Sequence, residues 1–345
     1  MRAPWHEYGF VTQMPHMAPG EKLSEVELLK QLAAYQWESI ARMLGRKPSE
    51  IANDQGDRLY GSVIDVEVRF APQHGLEIFG EDASVHIRNR VSMYAKKFVE
   101  GLFVIDGREI PDSLVETVKT RDDLRSLPVS WAAMTNAFIV RSGSNVKLKV
   151  FKPAGVDDGA IEPMRDTPAG IRLQGQAQES GEVLPFEGPE GIALLDRRPQ
   201  DPIVYAIVPE SDLNGAGLVY FARYEAMMNY GERVFLCDHL ATPVSTELVS
   251  YLSTEHRRAL FFANASPTDR VEARVSARLL PPGSFEPPEI PGGYRTPVKL
   301  EFRVDLYRAS DRVLMACSRV RKALNVPGSA KGVLNEVSRL LRVVA

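Results

Sequence analysis

Residues 23–45 read Leu23-Ser24-Glu25-Val26-Glu27-Leu28-Leu29-Lys30-Gln31-Leu32-Ala33-Ala34-Tyr35-Gln36-Trp37-Glu38-Ser39-Ile40-Ala41-Arg42-Met43-Leu44-Gly45, and they predict a long amphipathic helix from Leu23 to Leu44. Ser24 followed by Glu27 fits a capping box, in which two orphan backbone N–H groups are satisfied reciprocally. Leu29, Leu32, Ala33, Ile40, Met43 and Leu44 recur at helical spacing and draw one broad apolar face. Gly45 stands where a helix ends in a left-handed cap. Such a helix should lie against a sheet.

The segments that follow it alternate. Ile64, Val66, Val68 and Phe70 point one way and Asp65, Glu67 and Arg69 the other, the period-two signature of a half-buried strand. Val85, Ile87, Asn89, Val91 and Met93 form a second series, and Phe98 to Ile105 a third that ends at the turn dipeptide Asp106-Gly107. Phe138 to Phe151 reads as one or two strands broken by Ser142-Gly143-Ser144. From Pro153 to Pro202 the chain is rich in Gly, Pro, Asp and Glu. That composition predicts a linker and excursion, part of it packed on the surface.

The second half repeats this grammar. Asn214-Gly215-Ala216-Gly217 precedes a helix predicted over Leu218 to Phe235. Alternating series follow at Val271–Leu279, Val298–Leu306 and Val313–Val320, with a Pro/Gly-rich loop from Pro281 to Pro297. Met14-Pro15-His16 corresponds to Val208-Pro209-Glu210, and Arg58-Leu59-Tyr60-Gly61 to Leu260-Phe261-Phe262-Ala263-Asn264. Self-similarity of this kind points to internal duplication. One long helix followed by antiparallel strands able to wrap it is the hot-dog arrangement. The expected fold is therefore α+β, a double hot-dog: an N-terminal unit over 1–155, a linker and surface excursion over 156–201, and a C-terminal unit over 202–345.

Bulk properties agree and exclude some functions. The chain has 345 residues, 44% of them hydrophobic and 25% charged, which suits two globular units at roughly 100–200 residues each. A formal net charge of -3 argues against a protein built around nucleic-acid phosphates. Two cysteines, Cys237 and Cys317, are too few for a disulfide scaffold and predict reduced thiols in a cytoplasmic protein. Met1 to Met17 does not read as a signal peptide. No stretch approaches the ~20 apolar residues that cross a bilayer, so neither nucleic acid nor membrane is an expected partner. The six histidines are scattered without ligand spacing, so no metal is expected. Oligomeric state stays open.

In this architecture a helix start presents unpaired N–H groups and a positive dipole end, suited to a thioester oxyanion or enolate. The candidate donors are the backbone at Lys22–Leu23 and at Gly217–Leu218. Gly215 and Gly217 either let the backbone approach a substrate or only shape a turn. Asn264 follows three apolar residues and is either an amide donor or a turn residue. His16 is a candidate base or a structural contact beside Pro15. On the second predicted helix, Asn229 or Glu232 could turn inward as the acid of a hot-dog hydrolase does. Tyr60 is on its own evidence an aromatic filler or a functional phenol. A phenol ionises near pH 10 and needs activation to act as a nucleophile. Arg58 would help if the strand places both side chains on one face.

Gln13-Met14-Pro15-His16-Met17, the Leu23-Ser24-Glu25 helix start and Asp57-Arg58-Leu59-Tyr60-Gly61 resemble the leinamycin-pathway bifunctional acyltransferase/decarboxylase family. A looser likeness runs through Ser142-Gly143-Ser144-Asn145, Tyr220-Phe221-Ala222-Arg223-Tyr224 and Phe262-Ala263-Asn264-Ala265. The resemblance implies a double hot-dog fold and polyketide-type biosynthesis. It implies decarboxylation of methylmalonyl-coenzyme A and delivery of propionyl to the phosphopantetheine arm of an acyl carrier protein, with the coenzyme A thioester as substrate and no cofactor. It implies that Tyr60 carries the acyl group. An acidic carrier protein would want a basic surface, for which Arg257-Arg258 and Arg319-Val320-Arg321-Lys322 are candidates. The alternatives are a dehydratase or thioesterase on the same fold, or a non-catalytic carrier-protein-binding module.

Overall fold

The helix that opens the reading runs from Glu25 to Met43 (α1), and its ends are made as the sequence requires. Ser24 is the N-cap and its hydroxyl accepts from the Glu27 amide. At the other end Gly45 has φ 63°, and the Gly45 and Arg46 amides donate back to the Arg42 and Ala41 carbonyls, closing a Schellman turn. Leu23 lies outside the helix. It pairs with Met17 in a two-residue ladder.

The computed structural model describes residues 4–71, 75–141, 149–156, 161–180, 184–186, 192–193, 202–240, 243–280, 294–327 and 330–344. Ser142-Gly143-Ser144-Asn145 and most of the Pro281–Pro297 loop lie outside the described residues. The principal strands are β1 His6–Val11, β2 Leu59–Arg69, β3 Ser84–Tyr94, β4 Phe98–Asp106 and β5 Ser130–Val140 in the first half. They are β6 Ile203–Ala206, β7 Leu252–Phe261, β8 Arg270–Leu279, β9 Tyr294–Arg308 and β10 Leu314–Pro327 in the second. The other long helices are α2 Ala169–Ser180, α3 Phe221–Val234 and α4 Lys331–Val344. A π-helical turn, Phe235–His239, continues α3.

All ten strands join one antiparallel sheet in the order β1-β3-β4-β5-β2-β7-β10-β9-β8-β6. The first half runs 1-3-4-5-2 and the second, read inward, 6-8-9-10-7, the same order shifted by five. β2 and β7 meet at the centre, with Val66 opposite Ala259. The duplication extends to irregularities: β2 bulges between Val63 and Asp65 against β5, and β7 between Thr254 and His256 against β10. The chain is a double hot-dog, α+β, as the alternation and helix spacing predict. α1 packs on α3, and one apolar core takes Leu28, Leu29 and Leu32 from one helix and Ala222, Met227 and Met228 from the other.

The strands are not half-buried. Asp65 is 0% and Glu67 2% exposed, although alternation assigns them to solvent. The segment between β4 and β5 folds over that face. Arg121 reaches Glu100 at 2.6 Å and Asp65 at 3.0 Å, and Arg125 reaches Glu67 at 3.0 Å. The excursion after residue 156 also packs there. α2 sits beside β2 with Gly170 against the Asp65 carboxylate, and Gln174 donates to the Phe261 carbonyl. The expected basic surface is likewise inside: Arg257 is 0% exposed, and Arg319 donates to the Pro185 carbonyl. Side chains on a covered sheet face need partners instead of water.

Candidate active site

Duplication gives two equivalent helix starts, and the chain treats them differently. At α1 the site is filled with charge. Glu25, the first helical residue, accepts from Arg257 at 2.8 Å and from the Thr254 hydroxyl at 2.7 Å. Arg257 also meets Glu225 of α3 at 2.9 Å and the Asn229 amide oxygen at 2.8 Å. Lys322 of β10 donates to Asn229 at 2.7 Å and pairs with Glu232. Lys22 closes the edge with bonds to the Ser250 and Leu252 carbonyls. Asn229 and Glu232 do turn inward, but into this ion network.

Burial pushes the Glu225 carboxyl up to about 7, against the pull of Arg257. Its folded pKa therefore exceeds the ordinary carboxylate value. Its stabilising contribution is fully present below pH ~4.5 and is lost as pH rises through 7. Glu225→Gln, which fixes the neutral form, should gain stability relative to the unaltered protein as pH rises from 4.5 to 7.5. Urea midpoints at the two pH values read this difference, and a constant offset would sink it.

At α3 the same geometry opens onto a cavity of about 800 Å3 between the halves. Its wall takes Ala33, Ala34 and Trp37 from α1, Arg58 to Ile64 at the start of β2, and Phe98, Asn136, Ala137 and Ile139. Tyr220, Phe221 and Tyr224 at the helix start and Phe261 to Asn264 beyond β7 complete it. Tyr220, the N-cap, supplies no capping side chain, so the first-turn amides of Phe221 and Ala222 have no capping acceptor there. Burial raises the Tyr220 phenol to about 12, so it stays neutral. Tyr224 donates to the Ala263 carbonyl at 3.0 Å.

Tyr60 lines this cavity, and the Arg58 guanidinium lies 5.1 Å from its ring centroid. The two side chains thus share a face. Asn264 lines it too, but its amide is engaged: Oδ1 accepts from the Val219 amide at 3.0 Å and the Ala265 amide at 2.8 Å. It fastens the loop that leads into α3. Leu218 reaches the wall, yet its amide and that of Gly217 already donate to Asn214, at 3.2 and 2.8 Å. Gly215 and Gly217 shape this turn, Gly217 at φ 71°. The donors therefore sit a few residues further on than the sequence suggests, because Asn214 closes the turn.

His16 and Leu23 lie elsewhere, near the start of α1. The His16 Nδ1 accepts from the Gln13 amide at 3.0 Å and its carbonyl from Ser24. Asp212 repeats both bonds in the second half, with Val208 and Tyr220. The shared pattern is that of a turn-closing residue. Leu23 is buried in the core.

Asn136 was not foreseen. It is 6% exposed, lines the cavity, and its Oδ1 has no hydrogen-bond partner. The available signal was a polar side chain in an otherwise apolar run, Trp131 to Val140. Beside it, a Cβ on Gly61 would stand 3.3 Å from both the Asn136 Nδ2 and the Trp37 ring. Gly61 keeps this slot open. Gly61→Leu should narrow it, lowering ligand affinity at least ~10-fold (about 1.4 kcal/mol) while the thermal midpoint stays within a few degrees. Unchanged affinity would show that ligands bypass the slot.

Among the described lining residues there is no Asp, Glu, His, Lys or Cys, and Arg58 is the one charged group. Among the described residues no cluster of three potential metal ligands occurs, and no helix is long and apolar enough to cross a membrane.

Fold and cavity together define a double hot-dog protein with one open inter-half site. Two solved structures share the fold over nearly the whole chain. An acyl-ACP thioesterase from Bacteroides thetaiotaomicron matches with TM-score 0.51 and 13% identity, over 92% of this chain and 97% of that one. A protein described as an oleoyl thioesterase from Lactobacillus plantarum matches with TM-score 0.55 and 10% identity, over 93% and 97%. No family model and no curated protein matches the chain.

Proposed function

We propose that this chain is an acyl-thioester enzyme that holds an acyl-pantetheine arm in the cavity between its halves. The observation that carries the reading is the asymmetry of the two helix starts: one is filled by an ion network, the other opens uncapped onto an apolar cavity. Helix-start amides aimed into a water-poor site stabilise charge on a thioester oxygen.

Hydrolysis of the thioester is the first reading, and the two thioesterases of the same fold support it. A second is favoured by the lining itself, which offers Tyr60 and backbone donors but no carboxylate or imidazole among the described residues. Loss of carbon dioxide from a malonyl-type thioester needs no base: the C–C bond to the carboxylate breaks, its electron pair forms the enolate, and solvent returns a proton. In the transfer that follows, the Tyr60 oxygen would take the acyl group, its proton leaving with the coenzyme A thiol. A carrier-protein pantetheine thiol would then receive the acyl group from Tyr60. Dehydration is disfavoured, because it calls for an imidazole facing a carboxylate.

The test is incubation of the purified protein with a saturated acyl-coenzyme A, malonyl-coenzyme A and methylmalonyl-coenzyme A, reading free thiol, carbon dioxide and intact protein mass. Free acid plus thiol establishes hydrolysis. A decarboxylated thioester or an acyl adduct establishes the second reading. Carrier-protein binding with no turnover of any thioester would replace both with a docking role.

A further inference from the structure

The duplication shows what Asn136 would do if it were structural. The bulges align the two halves: Val63 faces Asn136 just before the first bulge, and Thr254 faces Lys322 just before the second. Asn136 and Lys322 are thus equivalent positions. Lys322 is satisfied within the protein, by Glu232 and by Asn229. Asn136 is equally buried and faces a cavity, yet its Oδ1 is left without a donor. An unsatisfied buried acceptor costs about 1–3 kcal/mol, a cost the equivalent position avoids. The surrounding slot is apolar on the Trp37 side, so an arriving N–H would bond to this oxygen with little competition from water.

We infer that Asn136 accepts a hydrogen bond from an amide N–H of the pantetheine arm, making the slot beside Gly61 the arm's binding track. The inference rests on the acyl-thioester reading and deepens it. It follows that the chain binds one arm, since the equivalent track at α1 is closed by Lys322, Arg257 and their carboxylates. The bond is made to bound arm and transition state alike, so it supports affinity and leaves the chemical step unaltered.

The experiment measures binding of coenzyme A to the unaltered protein and to Asn136→Leu, together with turnover of one acyl group presented as its coenzyme A thioester and as its ethyl thioester, which has no amide. Asn136→Leu should weaken coenzyme A about 10-fold, raise KM for the coenzyme A thioester to match, leave kcat within two-fold, and leave the ethyl thioester unaffected. Equal losses on both thioesters, or unchanged coenzyme A affinity, would overturn the inference. If Asn136→Leu fails to fold, the unaltered protein is offered coenzyme A analogues with one or the other pantetheine amide replaced by ester. One of them should bind about 10-fold more weakly, and equal affinity of both with coenzyme A would overturn it. Absence of turnover alongside Asn136-dependent coenzyme A binding would remove the enzymatic reading and leave this one standing. A coenzyme A stoichiometry of two per chain would contradict the single track.

Discussion

Arg257→Leu will cost the fold about 3–5 kcal/mol, the range for removing one partner of a buried ion cluster. Arg257 is fully buried and is the cation shared by Glu25 and Glu225, with Glu232 at 3.5 Å. Its loss leaves three carboxylates with Lys322 as the nearest remaining cation. Glu25, held below the ordinary carboxylate range by Arg257, then has to take up a proton. Because the cluster joins α1, α3, β7 and β10, the variant should lose cooperativity between the halves as well as stability. Urea unfolding followed by two probes reads both. The control is Arg257→Leu combined with Glu25→Leu and Glu225→Leu, which should recover most of the loss. Buried ion clusters replaced whole by apolar residues are often neutral or better. A single variant within about 1 kcal/mol of the unaltered protein would show that water already reaches the cluster.

The helix, the strand series and the duplication were legible because each obeys a local period that burial enforces. Legibility fails where a face is covered by something the local pattern does not encode. Ile64 to Phe70 alternates as a solvated strand should, yet Asp65 and Glu67 are buried because Arg121 and Arg125 come from a segment about 55 residues away. The run from Trp131 to Met134 shows no alternation because both its faces are covered, and β5 begins eight residues before the sequence reading starts it. The amphipathic α4, whose Val333 and Val337 join the core, and the short edge strands β1 and β6 were missed altogether. The site divides the same way. Tyr60 and Asn264 stand at strand ends that duplication marks, and both reach the cavity. Which amides at the α3 start remain free depends on Asn214 and Asn264 folding back on the loop, which no spacing rule specifies. Whether a buried amide such as Asn136 is satisfied is a property of its neighbours, not of its strand.

Tyr60→Phe is expected to lower kcat on the preferred thioester ~10^2–10^3-fold, the scale seen when one donor to a developing oxyanion is removed, and to leave the fold intact. The phenol hydroxyl has no protein hydrogen bond among the described residues, and its ring is held by packing against Ile64, Ala137 and Ile139 and by the Arg58 guanidinium above it. Phenylalanine keeps those ring contacts, so stability should change by less than about 1 kcal/mol. The two chemical readings then separate. If Tyr60 carries the acyl group, the unaltered protein gains the mass of the acyl group on incubation with the thioester and Tyr60→Phe gains none. If Tyr60 only donates to the thioester oxygen, neither protein gains mass but the rate loss remains. A variant active to within three-fold would remove the phenol from the chemistry and leave polarisation of the carbonyl to the amides of Phe221 and Ala222. Arg58→Leu sharpens the distinction. A tyrosine acting as nucleophile has to shed its proton, which a cation against the ring favours, so Arg58→Leu should slow adduct formation most at low pH. A neutral tyrosine acting as donor loses little when that cation is removed.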